Sequence, residues 1–305
     1  MIAWKTALAA TISLTVASSG IARPRPAATG TRIWMRNVVL FPLPNAPATV
    51  ARLSGTAVPT RPGRLIDMDD VTSYQVRVGH GEMVIPAASM QALMNQHILP
   101  QADTAIKRVS VTFGNGVILM RGVMQKGGPI GFTAQAVASP SPQGELRITV
   151  TKMKAGGFIP KGVMDALGLK LSKVAQPDNR QVFRIVGDTM IIPVSSMFPP
   201  PRFLGPLRSV RVTPQGLIGV VGTGRADAPA GLGVGPYIHM RGGRVKFARL
   251  TMAPTDLTMV PKRKAETLGF SPANYYRQLL AGYSTSQPDG GLVGHVGDFR
   301  SLGRP

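Results

Sequence analysis

Apolar residues recur at every second position over several short stretches of this chain, and at helical spacing over three. Glu145 to Lys152 (ELRITVTK) sets Leu146, Ile148 and Val150 against Arg147, Thr149 and Thr151, the alternation of a half-buried antiparallel strand. Arg108 to Phe113 (RVSVTF) places Val109, Val111 and Phe113 on one face. The Gly114-Asn115-Gly116 turn follows and VILMRGVM returns, which is a hairpin signature. Arg32 to Leu40 and Val71 to Val78 read as further strands.

The helical pattern is sparser. Residues 87–99 carry Met90, Leu93, Met94 and Ile98 as an amphipathic stripe, bracketed by Pro86 and Pro100. A second helix is expected over 160–171, with Met164, Leu167 and Leu171 on one face and Pro160 in its first turn. A third starts at Ser271-Pro272, buries Tyr275 or Tyr276 with Leu279 and Leu280, and stops at Gly282.

Two blocks resemble one another in the same order, which reads as an internal repeat or, alternatively, as coincidence between two apolar strand–turn–strand units. GEMVIPAASM (81–90) matches DTMIIPVSSM (188–197), and IKRVSVTFGNGVILMRG (106–122) matches LRSVRVTPQGLIGVVG (207–222). The second copy carries Pro199, Pro200 and Pro201 where the first has its helix, so that helix is expected to be lost. The period matches no named solenoid repeat.

Composition sharpens the picture. A chain of 305 residues with 44% apolar and 16% charged residues can bury a substantial core. Its 35 glycines and 27 prolines fit many turns and short strands. Lys5, the apolar run Thr6 to Val16 and the small residues of ASSGIA form a secretory signal, with cleavage expected after Ser19 or Ala22. An uncleaved anchor is the alternative, although the run is short for a membrane span. Residues 1–22 are thus a signal, 23–30 a linker, 31–260 the main β-rich domain and 261–305 a C-terminal helix and tail. The absence of cysteine excludes disulfides, a thiol nucleophile and a cysteine-linked lipid anchor, and is compatible with a periplasmic or secreted protein. The net charge of +21 draws anionic surfaces by long-range attraction. After export these are lipid headgroups or acidic envelope polymers, and nucleic acid is not expected. A plain solvated basic surface is the alternative reading.

Candidate chemistry is thin. There is no nucleophile elbow, no H-E-x-x-H helix, no Walker loop and no strand-linked G-x-G-x-x-G. Gly231 to Gly235 is glycine-rich, but Pro236 follows without a helix, so it reads as a turn. His80, His97, His239 and His295 lack metal-ligand spacing. Asp67, Asp69 and Asp70 fit a capped turn better than a calcium loop. A non-catalytic protein is expected, with no cofactor. The 15 methionines are many, and their flexible thioethers suit either an irregular core or a changeable apolar ligand.

Residues 84–122 (VIPAASMQALMNQHIL … RVSVTFGNGVILMRG), with Leu93-Met94-Asn95 in the helix, resemble the opening of LmeA-like phospholipid-binding domains. AGGFIPKGVMDALGLKL (155–171) resembles that family's second helix, and LLAGYSTSQPDGGLVGHVGDF (279–299) resembles related exported proteins of unknown function. The resemblance spans roughly residues 31–260 and rests on apolar patterns, so no invariant functional residue carries over; Pro199 to Pro201 and the basic charge depart from it. It implies an α+β fold of the tubular lipid-binding kind, akin to bactericidal/permeability-increasing protein. There a strongly curved antiparallel sheet wraps amphipathic helices around a greasy tunnel.

The functional expectation is an exported protein that holds a phospholipid or other amphipathic lipid in an apolar cavity with a basic rim. Expected lipid contacts are Met90, Leu93, Met94 and Ile98 on the first helix, and Met164 and Leu167 on the second. Val111, Phe113, Leu119, Ile148, Ile185 and Ile192 supply the sheet side. The partners are the lipid and an anionic membrane or envelope surface; nothing in the pattern specifies an oligomeric state. The alternatives are a basic scaffold binding anionic glycans or lipopolysaccharide, and an enzyme whose site is assembled from distant residues.

Overall fold

The computed structural model describes residues 30–125, 128–155 and 177–302. The expected signal over 1–22 lies outside the described residues, as does the helix at 160–171 with Met164 and Leu167. Within them the chain is β-rich, with open antiparallel and mixed sheets and few helices. No helix there is long and apolar enough to cross a membrane.

Three sheets account for the described strands. The largest is eleven-stranded and centres on a meander of β1 (Thr31–Leu40), β2 (Ala48–Pro59) and β4 (Tyr74–Ile85). A six-stranded sheet runs β5 (Ile106–Phe113), β6 (Ile118–Gln125), β7 (Pro129–Pro140), β8 (Leu146–Ala155), β10 (Thr189–Ile192) and β9 (Arg184–Val186). A small third sheet joins β3 (Ile66–Asp67), β15 (Val245–Phe247) and β16 (Leu250–Met252).

The two matching sequence blocks fold into matching elements, and each block crosses between the two large sheets. In the first, β4 runs through Pro86 into helix α1 (Ala87–Leu93), and the hairpin β5–β6 follows. In the second, β10 runs through Pro193 into a 3-10 turn, Val194–Ser196, and then the hairpin of β12 (Leu207–Thr213) and β13 (Gly216–Val221). Strand β4 belongs to the large sheet while its hairpin β5–β6 lies in the six-stranded one. For the second block the allocation is reversed, and β13 pairs with β4. The Gly116 N–H donates to the Val212 carbonyl at 3.1 Å, and the Leu207 N–H to the Gly144 carbonyl at 2.7 Å, which ties the sheets together.

The first helix is longer than its flanking prolines suggest. Helical backbone continues from α1 through a π-turn, Met94–Ile98, into α2 (Leu99–Ala102), so Pro100 lies inside it. Proline has no N–H to donate and crowds the carbonyl four residues back. The wider turn, in which the Leu99 N–H reaches the Met94 carbonyl, accommodates that defect.

Asn95 and Gln91, four residues apart on this helix, cover the free edge of β5. Asn95 Nδ2 donates to the Val109 carbonyl at 2.7 Å, and Asn95 Oδ1 accepts from the Val109 N–H at 2.8 Å. Gln91 Oε1 accepts from the Val111 N–H at 3.1 Å. An edge strand left bare invites pairing with another chain, and here two side chains occupy the edge instead. Asn95→Ala is expected to cost about 1–3 kcal/mol, because a half-buried donor and acceptor lose their partners together. Urea denaturation of the purified protein measures it; an unchanged midpoint would show that water replaces the amide without loss.

The C-terminal segment returns to the large sheet. Strand β18 (Leu268–Phe270) lies parallel to β1, and β20 (Leu292–Val296) parallel to β17 (Asp256–Pro261). Between them α3 (Tyr275–Leu280) follows a 3-10 turn, Pro272–Asn274. Its buried face differs from the apolar stripe expected over Leu279 and Leu280. Tyr275 and Gln278 are buried, whereas Tyr276 and Leu280 are exposed. The reason is polar: Gln278 meets three backbone groups that no leucine could serve.

Candidate functional site: an apolar seam between the sheets

The inner faces of the six-stranded sheet, the first helix and hairpin β12–β13 meet along a narrow apolar seam. Its widest part is a cavity of about 50 Å³ under the helix. Met90, Met94, Met120, Met153 and Met190 border it, with Val111, Phe132, Ala134 and Ile148 from the sheet. Leu217 on β13 closes one side and also borders a second cavity of about 20 Å³. Met83, Phe198 and Phe203 border that cavity and a third, also about 20 Å³. The third is bordered by Leu40, Pro42, Pro199, Pro200, Pro201 and Pro272 at the far end of the seam. Exposed Arg202 follows the last proline of that run.

The strand alternation dictates this lining. Phe113 pairs with Ile118 across the hairpin, so Ile118 and Met120 share the inner face with Val111. Leu119, expected inside, faces outward: it stands between Thr112 and Gln135 and is 45% exposed. A one-residue error in reading a strand moves a side chain to the other face.

Of the remaining expected contacts, Met90, Met94, Val111 and Ile148 border the cavity. Leu93, Ile98, Phe113, Ile185 and Ile192 are buried in the same core without bordering it. Sequence reasoning missed Phe132, Ala134, Met153 and Leu217. The register of β6 on β7 and β8, which only pairing reveals, places the first three there.

The outer face of β5–β8 has the opposite character. These four strands contain no acidic residue and carry Lys107, Arg108, Arg121, Arg147, Lys152 and Lys154. Arg121, Thr133 and Lys154 stand in one cross-strand row, and Leu119, Gln135 and Lys152 in the next. Exposed Leu119, Val123 and Val137 interleave with these cations.

The histidines hold structural partners. His80 pairs with Glu82 at 3.0 Å, and His295 stacks on Tyr283. His239 meets the Thr258 hydroxyl at 2.8 Å and stacks on Trp34, whose indole N–H donates to Asp227. His97 meets Gln101 at 2.6 Å and lies against the backbone of Ser196 and Phe198, so it joins the helix to the turn of the second block. Burial holds both His97 and His239 below the usual histidine pKa.

Linkage fixes the sign of the pH effect. At a pH below about 6.5 the unfolded chain takes up protons that these two buried rings still refuse, so stability falls as pH drops from 6.5 and not above it. The slope is expected to reach about 1.4 kcal/mol per pH unit for each ring. Denaturation midpoints between pH 8 and 5 test this, and His97→Gln should flatten the profile.

The acidic cluster forms turns. Asp67 accepts from the Asp69 N–H, and Asp70 from the Thr72 N–H and hydroxyl. Lys246 bridges Asp67 and Asp69, and the Tyr275 hydroxyl donates to Asp69. No group of three His, Asp or Glu side chains among the described residues could hold a metal ion. In comparisons with known proteins, no family model, curated protein or solved structure matches this chain.

Proposed function

We propose that this protein binds a lipid through one acyl chain in the methionine-bordered seam, without catalysis, and meets anionic envelope or membrane surfaces through its basic exterior. The reading is carried by the three adjoining cavities, whose walls are apolar from the helix to the proline-lined end. At about 50 Å³ the largest is far too small for an acyl chain, so the seam is closed at rest. Entry of a chain requires the methionines to change rotamer and the two sheets to part along Leu217. Methionine tolerates that better than branched residues, because its three side-chain torsions are soft. Burying a dozen methylenes at about 0.8 kcal/mol each yields about 10 kcal/mol against the cost of opening.

The exterior supports the surface part of the reading. A face of six cations with interleaved leucine and valine, and no acid, suits the boundary of an anionic bilayer. Lipid extraction and native mass spectrometry of the protein purified without detergent test the main claim, together with uptake of a fluorescent fatty acid. Co-purifying lipid or saturable uptake is expected, and protein that stays empty in both assays would sink it. The second reading, a basic scaffold for anionic glycans, is favoured by the same acid-free face. It predicts glycan binding that moderate salt abolishes and no lipid uptake.

A further inference from the structure

We propose that an arginine-walled cleft at the start of β1 and β4 is a binding site for a phosphoryl-type oxyanion. The site does not rest on the acyl-chain reading, because none of the residues that border it borders the seam. After β2 the chain makes a tight turn, Arg61-Pro62-Gly63-Arg64. The Arg64 N–H donates to the Arg61 carbonyl at 3.3 Å, and Gly63 adopts φ 74°. Proline and then glycine with positive φ are what a type II turn requires. The turn sets two guanidinium groups at the edge of two adjoining open hollows, of about 550 and 420 Å³, which share Thr60 and Arg64.

The larger hollow has no acidic wall. Arg64, Arg77 and Arg244 border it, with Gln75 and Thr31. Arg77 comes from β4. Arg244 comes from the turn before β15, where Gly242 and Gly243 both have positive φ. Gly243 packs so closely that a Cβ there would meet the Thr31 hydroxyl at 2.5 Å, which fixes the path of that turn against the floor of the hollow.

One observation separates this place from the general excess of charge: Arg64, Arg77 and Arg244 come from three separate segments and border one hollow that has no carboxylate in its lining. Arg32, Arg184, Arg241 and Arg300 each pair with a carboxylate, whereas these three, like several other arginines, form no ion pair with any described carboxylate. The acids of the smaller hollow are engaged, Asp67 by Lys246 and Asp70 by Thr72. Three planar guanidinium forks around one hollow suit a ligand with two negative charges and several acceptor oxygens, as a phosphomonoester or pyrophosphate provides. Its carrier is either a soluble molecule or a lipid headgroup.

The test titrates the full chain calorimetrically with sodium pyrophosphate and, separately, with phosphatidylglycerol vesicles. Three proteins are compared: the wild type, Arg77→Ala with Arg244→Ala, and a charge-matched control, Arg121→Ala with Lys154→Ala. Saturable one-to-one binding of pyrophosphate is expected, weakened about tenfold or more by the cleft pair and less than about twofold by the control. Binding of vesicles alone, lost only in the cleft pair, supports the site with a headgroup as its source. Equal losses in the cleft pair and the control, or no saturable binding to either probe, overturn it. Arg77 and Arg244 are exposed, as are Arg121 and Lys154, so both variants keep the fold and their comparison decides the matter.

Discussion

Gln278→Leu is expected to destabilise the protein by about 3–4 kcal/mol. The side chain is fully buried, and all of its polar capacity facing the backbone is used. Its Nε2 donates to the Gly269 and Gly297 carbonyls, both at 2.7 Å, and its Oε1 accepts from the Ser271 N–H at 2.9 Å. These contacts clamp the end of β18 to the segment that follows β20, with α3 between them. Leucine has similar bulk, so the loss is of hydrogen bonds and not of packing: three backbone groups would remain buried without partners. Chemical denaturation gives the magnitude, and a loss below about 1 kcal/mol would mean that water enters the site. Gln278→Glu supplies a second reading of the same clamp. A carboxylate beside two carbonyl oxygens is held protonated, so its pKa lies above the usual range. Stability of that variant should therefore rise as pH falls through the carboxyl titration, opposite in sign to the histidine effect.

The second large effect concerns the seam, and it has two arms. Ala134 borders the main cavity on β7, where its methyl leaves room between Met120 and Met153. Ala134→Leu fills that room, and acyl uptake is expected to fall by about tenfold or more while overpacking costs about 1–3 kcal/mol. Leu217 is buried and forms the wall shared by the first and second cavities. Leu217→Ala should cost about 2–5 kcal/mol in stability and yet increase uptake, because it joins two small spaces into one. The opposed directions separate a ligand seam from ordinary core packing. If both variants lower uptake in proportion to lost stability, the seam is simply core. Fluorescent fatty-acid titration beside thermal denaturation measures both quantities on the same samples.

The two arms of the seam prediction draw on residues of different legibility. Met90 and Met94 could be placed on an inner face from helical spacing alone, as Val111 and Ile148 could from strand alternation. Alternation also forced a choice between Ile118 and Leu119, and pairing of Phe113 with Ile118 across the hairpin decided it. Leu217 offered no local signal. It belongs to the second block, about a hundred residues further along the chain, and reaches the first helix only because the two blocks exchange their hairpins between sheets. Gln278 is the sharper case. A helix stripe read for apolar residues favours Leu279 and Leu280, but the backbone groups that need an amide come from β18 and from the segment after β20.

By itself the sequence determined the short strands, the glycine turns, the helix under Pro86 and the repeated strand–proline–turn block. Each follows from steric and hydrogen-bonding preferences that act within a few residues. It also fixed the acid-free basic character of β5–β8, which needs no folding to be read. Only the tertiary structure decided which sheet each hairpin joins, how far the seam is closed and which arginines stand without carboxylates. Those outcomes depend on pairing between distant segments, where burial and hydrogen bonding outweigh local preference, so no window of neighbouring residues contains them.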